Sequence, residues 1–198
     1  MASTISHCMI CKNEAHCIAT VVKALAPIVL ETVVVDTGST DGSQALLASL
    51  GVRVIPGPDV KAVGFSAVRN LGISVSRGDY ILAVDPDETI TPEDLLKVAQ
   101  LPSLSPTVEA FSFPRKHWMD LGMTKIWGLP PVESHPRLIK NLPHIRFVGF
   151  VHEKLAGFRS HSLIPDITVN HFNYVYCWSQ HPKAHQRHTM YLEMSKRR

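Results

Sequence analysis

Asp85, Asp87 and Glu88 stand within four residues of one another, directly after the apolar run YILAV at 80–84. Three acids this close repel each other unless a cation neutralises them, and hard oxygen ligands select Mg2+ or Mn2+. The competing reading is a solvated turn into the next helix. Residues 31–43, ETVVVDTGSTDGS, repeat the design: a β-branched run ends in Asp36 and passes into a turn rich in Gly, Ser and Thr. At that strand end Asp36 can accept a hydrogen bond from a base edge, or cap the turn that follows. Arg69 offers a forked cation to a phosphate, with an exposed helix arginine as the alternative. Cys8, Cys11, Cys17 and Cys177, with His7 and His16 nearby, invite zinc. Cys8 and Cys11 fall in a strand at an odd separation, which turns them to opposite faces, and no second Cys-x-x-Cys follows. Buried free thiols are therefore expected. His181, His185 and His188 would share one helix face at successive turns, as a solvated or acceptor-facing basic surface rather than a metal site.

These groups need elements to hold them. A strand at 5–11, a helix at 14–26 ended by Pro27, a strand at 33–36 and a helix at 41–50 open the chain. Ser39, Thr40 or Asp41 caps that second helix and Gly51 stops it. A short strand at 52–55 and a helix-like segment at 67–78, carrying Arg69 and Asn70, lead to the buried strand that begins at Tyr80. Thr91, Pro92 and Asp94 make a compact helix start. Strands alternating with helices predict a mostly parallel α/β sheet flanked by helices, with the acids in the crevice beyond its strand ends. After Leu101 a loop, PSLSP, precedes strand-like runs at 109–115, 137–140, 145–150 and 167–172. Pro and Gly accumulate from 122 to 136, with Trp118 and Trp127 flanking this acceptor-facing region, and an amphipathic helix at 182–196 closes the chain.

The motifs CKNEA, VVVDTGSTDGS, AVRNLG and ILAVDPDE, in this order over residues 5–100, resemble the amino-terminal half of the family 2 glycosyltransferases of GT-A fold. The later stretches HPRLIKN and IRFVGFVHE resemble the bacterial lipopolysaccharide-core and peptide glycosyltransferase subgroup. The resemblance implies an inverting, metal-dependent transfer of sugar from a nucleoside-diphosphate sugar, commonly a UDP-sugar, to a hydroxyl. It maps Asp85 and Asp87 onto the Asp-x-Asp motif for metal and ribose, and Asp36 onto the acid that contacts the nucleobase. Asn13 and Glu14 would line the same pocket, with Glu14 as a first-turn helix acid the competing account. His171 corresponds to a carboxyl-terminal His that many GT-A enzymes use as a further metal ligand; a structural His is the alternative. Glu88 is left as a supporting or solvated acid. The family often places a Glu-Asp pair after the acceptor region, and this chain departs from that pattern. His152 and Glu153 stand there instead, with Glu153 as the expected base and Glu133 and Asp120 in reserve.

A chain of 198 residues, 45% apolar and 19% charged, suits one compact domain without long disorder. Residues 1–100 would be its nucleotide-sugar-binding half and residues 101–198 its acceptor-binding half. A net charge of +3 is too mild for a dedicated nucleic-acid binder, although Lys183, Arg187, Lys196, Arg197 and Arg198 concentrate at the end. The acceptor is accordingly expected to be a saccharide or a polyanion, hydroxylated DNA bases included. Lys23, Pro27 and Glu31 interrupt the most hydrophobic window, 17–35, so no transmembrane helix is expected. The amino-terminal stretch lacks the pattern of a signal peptide, which implies a cytoplasmic protein with reduced cysteines. Two other functions share parts of this pattern: a nucleotidyltransferase, whose Gly-rich, Arg-containing first loop CKNEA does not match, and an inactive nucleotide- or metal-binding domain.

Overall fold

In the computed structural model, which describes residues 3–126, 133–172, 190 and 193–196, the hydrophobic runs of the first half form four parallel strands. These are β1 (Ile5–Cys11), β2 (Glu31–Asp36), β3 (Arg53–Pro56) and β4 (Tyr80–Leu82), connected through α1 (Ile18–Leu25), α2 (Ser43–Ser49), α3 (Val60–Val63) and α4 (Phe65–Val75). The second half adds β5 (Glu88–Thr89), α5 (Pro92–Leu104), β6 (Ala110–His117), β7 (Glu133–Lys140), β8 (Arg146–Val148), β9 (Lys154–Ala156), β10 (His161–Leu163) and β11 (Val169–His171). The main sheet runs β3-β2-β1-β4-β7-β6-β11-β5, with β10 also on β6, and β8 and β9 form a separate hairpin. β7 is antiparallel to both β4 and β6, whereas β11 runs parallel to β6. The two halves of the chain therefore share one sheet.

Side-chain alternation divides the core between the two faces of that sheet. Tyr80, Leu82 and Val84 pack with Val21, Leu25, Val98, Phe111 and Leu138. Ile81 points the other way, to Cys8, Ile73, Ile139 and Ile145. Complete burial of each such Leu or Ile is worth roughly 1.5–3 kcal/mol. Cys8, Cys11 and Cys17 are buried free thiols, with Cys8 and Cys11 in different clusters, as the strand geometry required.

Local chemistry moves several element ends from their expected places. α1 begins at Ile18 rather than at residue 14, because Cys17 at φ −132° leaves helical backbone and residues 14–17 form a separate turn, whose Glu14 and Ala15 N–H groups donate to Ser43 Oγ (2.9 Å) and Asp41 Oδ2 (3.0 Å) of the neighbouring loop. α2 starts at Ser43 behind Gly42 at φ 92°, with Asp41 accepting from the Ser43 N–H instead of opening the helix. β4 stops at Leu82, short of the acids; beyond it the Val84 carbonyl is met by the His7 ring Nε2 at 2.9 Å. α5 runs through the expected loop to Leu104, since Pro102 in its last turn forfeits one backbone donor and Ser105 N still closes on the Leu101 carbonyl at 3.0 Å.

Of the expected helix at 182–196, only Met190 and residues 193–196 are described. Met194 is buried with Val35, Val60, Val68 and Val151. Trp127, Cys177, His181, Lys183, His185, Arg187, His188, Arg197 and Arg198 lie outside the described residues. Among the described residues no helix is long and apolar enough to cross a membrane.

Candidate active site

The segment before Glu153 is tied to α4 by an amide. Asn70 Oδ1 accepts from the Phe147 N–H and its Nδ2 donates to the Phe147 carbonyl, both at 2.9 Å, while the Phe65 N–H donates to the Phe150 carbonyl at 2.9 Å. The residue before Asn70, Arg69, is aimed between two acids. Its Nη1 and Nη2 donate to Asp85 Oδ1 (2.9 Å) and Oδ2 (3.0 Å), and its Nε donates to Glu153 Oε1 (2.6 Å). The guanidinium also lies 5.4 Å from the centre of the Phe147 ring. Burial opposes ionisation of Asp85, but Arg69 first, then Arg137 and His171, hold its carboxyl well below the usual carboxylate range. Residues 69, 85 and 153 are thus one half-buried unit, and the expected phosphate ligand Arg69 is occupied by carboxylates.

Of the other two acids of the DPDE turn, Glu88 has arginine partners and Asp87 faces a histidine. Glu88 is fully buried; its Oε1 accepts from Arg137 Nη2 at 2.5 Å and lies 3.7 Å from Arg115 Nη1, and its Oε2 accepts from the Asp85 N–H at 3.0 Å. Mutual repulsion of three acids is therefore relieved largely by arginines, which removes that part of the argument for a metal. Asp87 Oδ2 faces His171 Nε2 at 3.4 Å. Strand register puts His171 opposite Glu88 on one side and beside His117 on the other. The two rings meet Nδ1 to Nδ1 at 2.8 Å, so one nitrogen donates and the other accepts. Burial, then the charges of His171 and Arg115, lower His117 to about 4, so near neutrality its Nδ1 can accept from His171 Nδ1–H. With its Nδ1 engaged on His117, His171 presents Nε2 to Asp87.

Adjacent ligands about 2.1 Å from an octahedral cation stand about 3 Å apart, so the Asp87–His171 gap fits a shared divalent ion. Asp85, with both oxygens on Arg69, is not drawn into a three-ligand cluster with them. Among the described residues the trio of His, Cys, Asp and Glu ligand atoms within 4.8 Å of one another is Glu14, His16 and Cys17.

Asp36 and the residues after β1 form the neighbouring wall, because β1 and β2 pair with Cys11 opposite Asp36. The Asp36 carboxylate is buried and accepts from Gly38 N (3.1 Å), Ser39 N (3.1 Å), Ser39 Oγ and Gln44 Nε2 (2.6 Å). Burial works against it, yet these hydrogen bonds keep it below the ordinary carboxylate value. Asn13 Oδ1 accepts from the Thr40 N–H at 2.7 Å. Asn13 (φ 61°) and His152 (φ 56°) both adopt left-handed backbone, a conformation that concentrates at functional sites when held by non-glycine residues. The reserve acids have structural partners: Glu133 accepts from Arg115 Nη2 at 2.8 Å, and Asp120 closes its own turn on Thr124 and Lys125. Trp118 Nε1 donates to Asn170 Oδ1 at 2.8 Å. His117, Arg115 and Arg137 were not singled out from the sequence; the available signal was the same-face spacing of Arg115 and His117 behind Phe113 on β6 and the alternation of Arg137 with Leu138 on β7.

The sequence model of Glycosyl transferase family 2 matches residues 6–152. A TPR repeat-containing protein of Synechococcus elongatus is 32% identical over 150 residues, which is 75% of this chain and 34% of that protein. An uncharacterized glycosyltransferase of Rickettsia felis is 37% identical over 89 residues, 45% of this chain and 30% of the relative. The chain thus spans about a third of the length of these curated relatives. The crystal structure of S. aureus TarS 1-349 aligns with a TM-score of 0.66 at 16% identity, over 98% of this chain and 71% of that one. That likeness bears out the GT-A fold. With the family model spanning the chain from β1 to His152, the chain belongs to glycosyl transferase family 2.

Proposed function

We propose that this chain is the nucleotide-sugar-handling domain of an inverting glycosyltransferase that uses Mn2+ or Mg2+ and moves a sugar from a nucleoside diphosphate, UDP by family resemblance, to a hydroxyl. The observation that carries this reading is the convergence of Asp85 and Glu153 on Arg69, beside the Asp87–His171 pair, beyond the carboxyl ends of β1, β2 and β4. Asn13, Glu14 and Asp36 line the nucleotide side, and Asp85 faces the ribose. Asp87 and His171 would hold the divalent ion, which when bound neutralises the charge of the departing diphosphate. Arg69 fixes the orientation of Glu153 through Oε1, and the other carboxylate oxygen takes the acceptor proton as the hydroxyl attacks opposite the leaving group. His152 stands beside the base on its left-handed turn.

Residues 1–100 serve the donor and residues 101–198 the acceptor, which is a saccharide or a polyanion such as DNA carrying hydroxylated bases. A cytoplasmic setting agrees with the free thiols. Calorimetry with UDP tests the donor site: affinity should rise on adding Mn2+ and fall back with a chelator, and Asp87→Asn should lose the metal-dependent part alone. Equal UDP affinity with Mn2+ and with chelator would remove the metal from this reading.

A further inference from the structure

We propose that Glu14, His16 and Cys17 form a second cation site, for a thiophilic divalent metal of the Zn2+ class. The Glu14 carbonyl accepts from both Cys17 N (3.1 Å) and Ile18 N (2.9 Å), which winds residues 14–17 into a turn. This turn gathers three unlike ligands: Glu14 Oε2 lies 3.8 Å from His16 Nε2 and 3.6 Å from Cys17 Sγ, and all three ligand atoms fall within 4.8 Å of one another. In a tetrahedral zinc site with bonds of about 2.0–2.3 Å, neighbouring ligand atoms stand roughly 3.3–3.6 Å apart. The two edges at Glu14, 3.8 and 3.6 Å, need a contraction of about 0.5 Å or less to meet that geometry, and the His16–Cys17 edge, within 4.8 Å, closes as the exposed His16 ring swings in.

The ligand chemistry separates this site from the Asp87–His171 pair. A thiolate and an imidazole with one carboxylate favour Zn2+ or Co2+ over Mg2+ and Mn2+. Glu14 and Cys17 are buried at 5% and 4% exposure, whereas the His16 side chain is 32% exposed. A cation would arrive from the His16 side, displace the Cys17 thiol proton to solvent, and keep its fourth position for water or an anion. The hydrogen bonds from Glu14 N and Ala15 N to Ser43 and Asp41 hold the turn from outside, so little ordering remains to be done on binding. Because Glu14 also belongs to the nucleotide wall, an ion here would compete with the donor. That consequence rests on the proposed function; the site itself does not.

Co2+ titration of the reduced, metal-free chain tests the site. One equivalent should produce thiolate-to-cobalt charge transfer in the near ultraviolet with tetrahedral visible bands, and Zn2+ should bleach both. Cys17→Ser should abolish the charge transfer, Cys177→Ser should leave it, and His16→Ala, at an exposed position, should weaken Co2+ at least ~10-fold. His16→Ala should leave Mn2+ affinity unchanged, which separates failure of this site from failure of the donor site. No charge-transfer band in the parent chain, a band that survives in Cys17→Ser, or undiminished Co2+ affinity in His16→Ala would each overturn the proposal.

Discussion

Glu153 is held at Oε1 by Arg69 Nε, 84 positions away in the chain, and this contact would orient Glu153 in the base role proposed for it. Glu153→Gln keeps the volume and an acceptor for that N–H but gives up the proton-accepting carboxylate. Transfer should fall by at least ~10² with little change in UDP affinity, read from single-turnover rates and calorimetry. Near-normal transfer would move the base elsewhere. Asp85, Asp87 and Glu153 were legible in the sequence because acids at strand ends carry their own signal. The counter-charges were not: Arg69 reaches Asp85 and Glu153, and Arg115 and Arg137 reach Glu88, from other elements, and register alone brings His117 to His171. The same distance explains why the Asp-x-Asp acids looked in need of a metal when arginines already balance two of the three.

α4 is the element on which the site depends, since it carries Arg69 toward Asp85 and Asn70 toward Phe147. It packs so closely on β1 and β2 that a Cβ on Gly72 would collide with Cys8 Sγ and come within 3.0 Å of Val35 Cγ2. Gly72→Ala should therefore push the helix outward and destabilise the fold by about 1–3 kcal/mol, measured by urea unfolding, with a drop in UDP affinity as Arg69 shifts. Unchanged stability would mean that α4 is not clamped there. The AVRNLG pattern announced a helix, but the Asn70 clamp on Phe147 could not be read from it, because its partner is a backbone whose position only the tertiary fold supplies. The misplaced ends of α1 and α2 have a similar origin: residues of TGSTDGS that looked like caps instead tie the Asn13–Ala15 turn to the β2–α2 loop.

At the scale of the whole molecule, the parallel half was readable from alternation and turn chemistry. The second half was less so, since β10 and β11 are three residues long and the partners of β6 and β7 lie far away in sequence. Stability couples to pH through His7 at the centre of the sheet. Burial, against the pull of its hydrogen bond to Val84, lowers this imidazole from 6.5 to about 4. Between those values the unfolded chain binds a proton that the folded chain does not, so stability present above pH 6.5 is lost as pH falls toward 4, by about 3 kcal/mol at 1.36 kcal/mol per unit. His7→Gln should flatten that slope in urea titrations at stepped pH, and a slope equal to the parent's would assign it to other groups. The most direct test of the central claim is the fate of a nucleotide sugar. With UDP-sugars and Mn2+ but no acceptor, slow donor hydrolysis should yield free sugar and UDP in equal amounts, stop with a chelator, and vanish in Asp87→Asn; release of pyrophosphate, or no turnover of any nucleotide sugar, would contradict it.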